Sequence, residues 1–118
     1  MAGMVSLGGR YTALAVEKRG GKLFLQQRTG NWTRNDEVRA DLETLDTNML
    51  YVRMRVEKET DISFEISADA KTFRTVGNTT QATPGRWVGV KAGLFALNEK
   101  GLSGGSMRAE YFVFEKLV

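Results

Sequence analysis

From residue 50 to residue 57 the chain alternates: Leu50, Val52, Met54 and Val56 fall on one side, Tyr51, Arg53, Arg55 and Glu57 on the other. A period of two is the pattern of a strand with one dry face and one wet face. Ile62, Phe64 and Ile66 repeat it against Ser63, Glu65 and Ser67, which are expected to point outward. The polar link 58–61 between the two segments is short enough for a hairpin. Segments 10–18 and 21–28 read as two more strands, joined across Arg19, Gly20 and Gly21. At 67–73 the pattern predicts a turn, in which Asp69 caps its own backbone and Phe73 opens the next strand. Segment 29–48 is the least regular and predicts a loop around Gly30, Asn31 and Trp32, then a short strand near 38–42.

Beyond Pro84 and Gly85 the alternation returns with two registers. Val88, Val90, Ala92, Leu94 and Ala96 form one, expected to pack the core; Trp87, Gly89, Lys91, Gly93 and Phe95 form the other. The only proline stands at the head of this strand, where no ladder donor is lost. A glycine-rich turn at 101–105 leads into a last strand that is apolar on both faces around 111–114. The total is about eight short strands at the spacing of an antiparallel sandwich. A single sheet would leave one apolar face of the last strand in water, so two packed sheets are expected: an all-β, antiparallel β-sandwich.

At 118 residues the chain has room for one domain with one core, residues 1–118. No apolar run is long enough to cross a bilayer, and no membrane partner is expected. The first nine residues lack the basic-then-apolar pattern of a signal peptide, which places any export signal outside this chain. The absence of cysteine excludes disulfides and thiol nucleophiles, and the absence of histidine removes the usual general base and metal ligand. Net charge is +3, yet Lys and Arg alternate with acids at 34–37 and 53–59, as on a solvated strand face. A nucleic-acid surface would gather its cations on one side, so none is expected. Asp36, Glu37, Asp41, Glu43 and Asp46 fall in the irregular segment, and Asp61, Glu65 and Asp69 on turns or an outward face. They read as solvated acids and not as the paired carboxylates of a glycosidase. No spaced ligand series supports a structural calcium site, and no cofactor is expected.

Four blocks in fixed order carry a family resemblance: Tyr51-Val52-Arg53-Met54, then Phe64 to Phe73, then Pro84 to Phe95, then Ala109-Glu110-Tyr111-Phe112-Val113-Phe114. They are similar to the C-terminal concanavalin-A-like, jelly-roll β-sandwich of glycoside hydrolase family 43 enzymes, which are β-xylosidases and α-L-arabinofuranosidases. Segment 2–18 also resembles the family's apolar strand followed by Tyr-x-x-Leu. Two departures stand out. The family's Asp-Gly turn is Asp69-Ala70 here, and since a left-handed backbone at alanine carries a Cβ cost, another turn type is expected. Family sandwiches extend further at the N-terminus, so the resemblance implies the C-terminal part of a larger domain, missing its N-terminal strands.

The resemblance implies an accessory, non-catalytic sandwich that packs on a catalytic propeller, within an enzyme acting on arabinoxylan-type side chains. It implies solubility in a bacterial periplasmic or secreted setting, with that catalytic domain as partner and xylan or arabinoxylan fragments as carbohydrate. An incomplete sandwich exposes core face and unpaired edges, so a homodimer through the exposed sheet face, or strands borrowed from a companion, is also expected. For the register of Trp87 two readings stand. It fills a second layer of the sandwich, or it offers a flat platform for a sugar ring or another domain. In relatives an aromatic at the position of Trp87 reaches the active-site rim, so Trp87 leads as a substrate or docking residue, with Arg86 and Phe95 beside it. Trp32 is either a loop anchor or an exposed stacking residue. The rival reading, from a different class, is an autonomous carbohydrate-binding module for plant polysaccharide.

Overall fold

The computed structural model describes residues 1–31, 34–47, 49–57, 60–81, 91–96 and 107–109. These residues form eight strands: β1 (Ala2–Leu7), β2 (Arg10–Arg19), β3 (Lys22–Asn31), β4 (Arg34–Leu45), β5 (Tyr51–Glu57), β6 (Asp61–Ser67), β7 (Arg74–Gln81) and β8 (Lys91–Ala96). One sheet has five strands in the order β4-β3-β2-β1-β8, the other three in the order β5-β6-β7, and every pairing is antiparallel. Leu14 and Leu25 of the larger sheet meet Ile62, Phe64, Ile66 and Val76 of the smaller in one buried cluster, flanked by Met4, Val16, Leu42, Leu45, Leu50, Val52 and Met54. The fold is therefore the expected all-β sandwich. No helix among the described residues is long and apolar enough to cross a membrane.

Local chemistry explains the elements. Gly20 and Gly21 turn β2 into β3 with φ of 56° and 81°, a pair of left-handed residues matching the right-handed twist of the two strands. Across the sheets, the Gln27 side chain donates to the Asn78 carbonyl at 2.7 Å and accepts from the Asn78 amide at 2.8 Å. This amide thus acts as one rung of a ladder between β3 and β7. Gly77, at φ 70°, makes room for it, because a Cβ there would lie 2.5 Å from Gln27 Oε1. Beside it, Arg74 of β7 pairs with Glu43 of β4, its Nη1 standing 3.0 Å from Oε2.

Five expectations are corrected. Segment 29–48 is not mostly loop: β3 runs on to Asn31 and β4 takes up twelve residues. Register shifts at Leu25/Gln26 and Thr29/Asn31 break the alternation of β4, which hid the strand. Its acids are accordingly not solvated turn groups, since Asp36, Glu37, Asp41 and Glu43 all hold arginines. Glu65 faces outward on β6 as expected but is buried, because Arg53 grips both its oxygens at 3.2 and 3.0 Å. In β8 the register expected inside is open: Leu94 is 41% exposed although its partner Met4 packs on the core. The turn at Asp69-Ala70, expected to be of another type, is left-handed after all: Ala70 has φ 63°. Ser67 Oγ accepts from the amides of Asp69 and Ala70, and Asp69 Oδ1 accepts from those of Lys71 and Thr72, so the hydrogen bonds override the Cβ cost.

Relieving that cost gives a direct check: Ala70→Gly should raise stability by about 1 kcal/mol in chemical denaturation. The same turn predicts a pH dependence. The amides of Thr72 and Lys71, with the Ser67 hydroxyl, hold the Asp69 carboxyl down from 3.8 to about 2. A folded pKa below the unfolded one adds stability that is complete above the unfolded value and lost as pH falls through the folded value. The stability gap between the natural chain and Asp69→Asn should therefore be constant near neutrality and close between about pH 4 and pH 2. A gap that stays constant down to the lower end would remove the turn from the acid response.

Candidate functional site

Side chains alternate across each strand, so the register fixes what shares the outer face of the five-stranded sheet. One row across it runs Phe95, Gly3, Ala15, Gln26 and Asp41, and the next runs Gly93, Val5, Ala13, Arg28 and Arg39. The middle of the face is a floor of small residues. Gly3 must be one of them, because a Cβ there would lie 2.0 Å from the Leu14 carbonyl oxygen. Phe95 stands at the β8 side of the floor and is half-buried.

On the other side lies a hydrogen-bonded ion network centred on Arg28, whose side chain is only 3% exposed. Its Nη2 donates to Glu17 Oε2 at 2.8 Å and to Gln26 Oε1 at 2.9 Å, and its Nη1 stands 3.6 Å from Glu37 Oε2. Ala13 and Ala15, both buried, leave the guanidinium room to reach along the sheet toward Glu17. Gln26 hands the chain of bonds on to Asp41 at 2.7 Å, and Arg19 meets the same oxygen at 2.8 Å. Arg39 closes on Glu37 at 2.8 Å. Tyr11 crosses over Gly30, where a Cβ would lie 2.6 Å from its hydroxyl, and donates to Glu37 Oε1 at 3.0 Å. Three arginines, 19, 28 and 39, thus face three carboxylates, 17, 37 and 41, and the patch is neutral as a whole.

The Gln26 amide and the Arg19 guanidinium hold the Asp41 carboxyl below its usual range, and the Asn31 amide does the same for Asp36. Burial, followed by the bond to Glu37, pushes the Tyr11 phenol up, so it stays a proton-bearing donor at neutral pH. A glycosidic general acid needs a carboxyl pushed the other way. Among the described residues no group of three His, Cys, Asp or Glu side chains could hold a metal ion.

Of the residues expected to form a site, Phe95 is on this face, while Trp32, Arg86 and Trp87 lie outside the described residues. The network was not foreseen. Its trace in the sequence is Gln26 and Arg28 inside an otherwise apolar strand, with Glu17 on the partnering arm of the hairpin.

Comparison with known proteins adds a family. A family profile described as the Beta xylosidase C-terminal Concanavalin A-like domain matches residues 1–115. The chain is 30% identical to a protein named Beta-xylosidase from Formosa agariphila, over 98% of this chain and 18% of that protein. The chain therefore spans less than a fifth of the length of that relative. No solved structure gives a significant match.

Arg28→Met should cost about 3 kcal/mol, since it strands Glu17, Glu37 and Gln26 without their shared partner. Arg39→Ala, at a half-exposed member of the same network, should cost less than about 1 kcal/mol. Equal losses in urea denaturation would mean the network is a surface ornament.

Proposed function

The chain belongs to the Beta xylosidase C-terminal Concanavalin A-like domain family, and on that premise we propose that it is the accessory, non-catalytic sandwich of a glycoside hydrolase. It braces the catalytic propeller of a xylosidase or arabinofuranosidase through the outer face of its five-stranded sheet, with Phe95 and Trp87 toward the rim of the active-site pocket. The observation that carries this reading is the pre-committed polar network: Glu17, Glu37 and Asp41 already hold arginines. A face whose charges are internally matched has little desolvation left to incur when a folded neighbour closes on it, and its side chains are ordered beforehand. A rigid aromatic at its margin supplies contact area at small entropic loss. The enzyme's setting would then be periplasmic or secreted.

A second reading rests on Phe95, the half-buried aromatic beside the small residues of this face: an autonomous module that grips xylan or arabinoxylan by stacking. A homodimer has its own support in the open inner side of β8 at Leu94.

Mixing the chain with the separately produced catalytic domain of its parent enzyme should give a one-to-one complex by sedimentation, weakened at least about tenfold by Phe95→Ala. Titration with xylan or arabino-oligosaccharides should leave the tryptophan fluorescence of the chain alone unchanged. A saturable fluorescence response to polysaccharide without complex formation would reverse the order of the two readings, and self-association lost in Leu94→Lys would establish the dimer.

A further inference from the structure

Among the described residues β4 is an outermost strand of the larger sheet, and its middle lies open. Residues 38–41 are exposed one after another, and Val38, at 62%, is the most exposed of the described large apolar side chains. The free side of such a strand presents N–H and C=O groups that a further strand can take up. Irregularities bound the stretch on both sides. The ladder to β3 shifts before Val38, and it shifts again where Leu42 is the extra residue between Asp41 and Glu43. That leaves five residues, 38–42, for regular pairing.

These five have a symmetry of their own: apolar, basic, small, acidic, apolar. A second copy laid antiparallel against them, with a two-fold axis at Ala40, sets Val38 opposite Leu42, Arg39 opposite Asp41 and Ala40 opposite itself. We propose that β4 is the self-association edge of this protein, pairing with β4 of a second copy about Ala40 so that two larger sheets become one. Each face of that joint sheet is consistent. Val38, Ala40 and Leu42 lie on the inner side, where Leu42 already flanks the core, and Arg39 and Asp41 lie on the outer side beside Arg28 and Gln26. Arg19 and Gln26 both reach Asp41 at Oδ1, so its Oδ2 can turn to the arginine of the second copy. Glu37 and Glu43 would also come level, but the register shift puts Glu43 on the inner side against Arg74, while Glu37 holds Arg28 and Arg39 on the outer side.

Charge fixes the register as well as the partner. A side chain and its cross-strand mate share a face, so the axis moves by whole residues. An axis at Arg39 would set that arginine against itself and Glu37 against Asp41; an axis at Asp41 would set two aspartates together. Like charges directly opposite are destabilising, so Ala40 is the favoured centre. The other outermost described strands lack this complementarity. On β5 an axis at Met54 opposes Arg53 to Arg55, and an axis at Arg55 opposes it to itself. The middle of β7 is bent by left-handed Gly77, and β8 carries Lys91 without an acid to meet it. Pairing one edge isologously uses that edge up, so the assembly closes at two copies. A five-residue ladder is small beside the roughly 1,000 Å² of a stable interface, so the dimer is a weak one. It uses neither Phe95 nor Leu94 and stands independently of the docking role proposed above.

The test is sedimentation of the 118-residue chain across a range of concentrations. A monomer–dimer equilibrium with a dissociation constant of about 10–100 µM is expected. Arg39→Asp and Asp41→Arg should each weaken it at least about tenfold, since each turns both ion pairs into like-charge pairs. An equimolar mixture of the two variants should dimerise again, because one then brings two acids and the other two arginines. Leu94→Lys should leave the equilibrium unchanged. If Asp41→Arg loses its near-ultraviolet spectrum, amide hydrogen exchange of the natural chain is read in place of the mixture, and protection within 38–42 should rise with concentration. The proposal is overturned if the chain stays monomeric to about 1 mM, if it grows beyond dimers, if Arg39→Asp dimerises undiminished, if the folded mixture fails to pair, if 38–42 gain no protection, or if Leu94→Lys abolishes association.

Discussion

Two sheets of unequal width have to be held face to face by a small core, and the clasp between Gln27 and Asn78 is what fixes their relative position. A side-chain amide that donates to and accepts from one backbone unit reproduces a β-ladder rung between strands that belong to different sheets. In the low-dielectric interior such a pair is directional as well as favourable, which apolar packing is not. The glycine at position 77 permits the approach, and the Arg74–Glu43 pair marks the same seam at its edge. At the other end of the larger sheet Leu94 of β8 is exposed, whereas its β1 partner Met4 packs on the core.

The two faces of the larger sheet differ in chemistry. Its inner face grades from Leu25 and Leu14 to a row of hydroxyls, Ser6, Thr12 and Thr29, and its outer face carries a neutral ion network beside a small-residue floor. Glu17, Glu37 and Asp41 of the outer face are bound to arginines, which ties neighbouring strands of the larger sheet to one another.

Much of the fold could be read from alternation alone. β5 and β6 are legible from a period of two, whereas the β2–β3 hairpin is legible from its glycine link, since Ala13 to Val16 and Leu23 to Leu25 are apolar on both faces. β4 escaped because two register shifts throw its parity, so that Leu42 and Leu45 pack on the same core although they are three residues apart. Ala70 escaped for a different reason. Propensity weighs one residue's backbone preference, whereas four hydrogen bonds to Ser67 and Asp69 decide the turn together. The burial of Glu65 and Arg28 depends on partners brought in from neighbouring strands, so composition gave no hint of it. Phe95 lies on the outer face together with the network, but the network is a property of β2, β3 and β4 side by side and is invisible in any one of them.

The position of β1 has a kinetic consequence. It is an inner strand of the larger sheet, yet one of its two neighbours, β8, comes from the far end of the described chain, where Ala2 pairs with Ala96. The hairpins β2–β3–β4 and β5–β6–β7 close over short loops and can form early, whereas the β1–β8 ladder must wait for a large loop to close. On the ribosome β1 therefore spends most of synthesis with one bare edge, and the strand that carries Phe95 is the last of the described strands to reach the sheet. Polypeptides released before residue 96 would retain the clasp and most of the core, lack a complete outer face, and present β1 to one another as a template for aggregation.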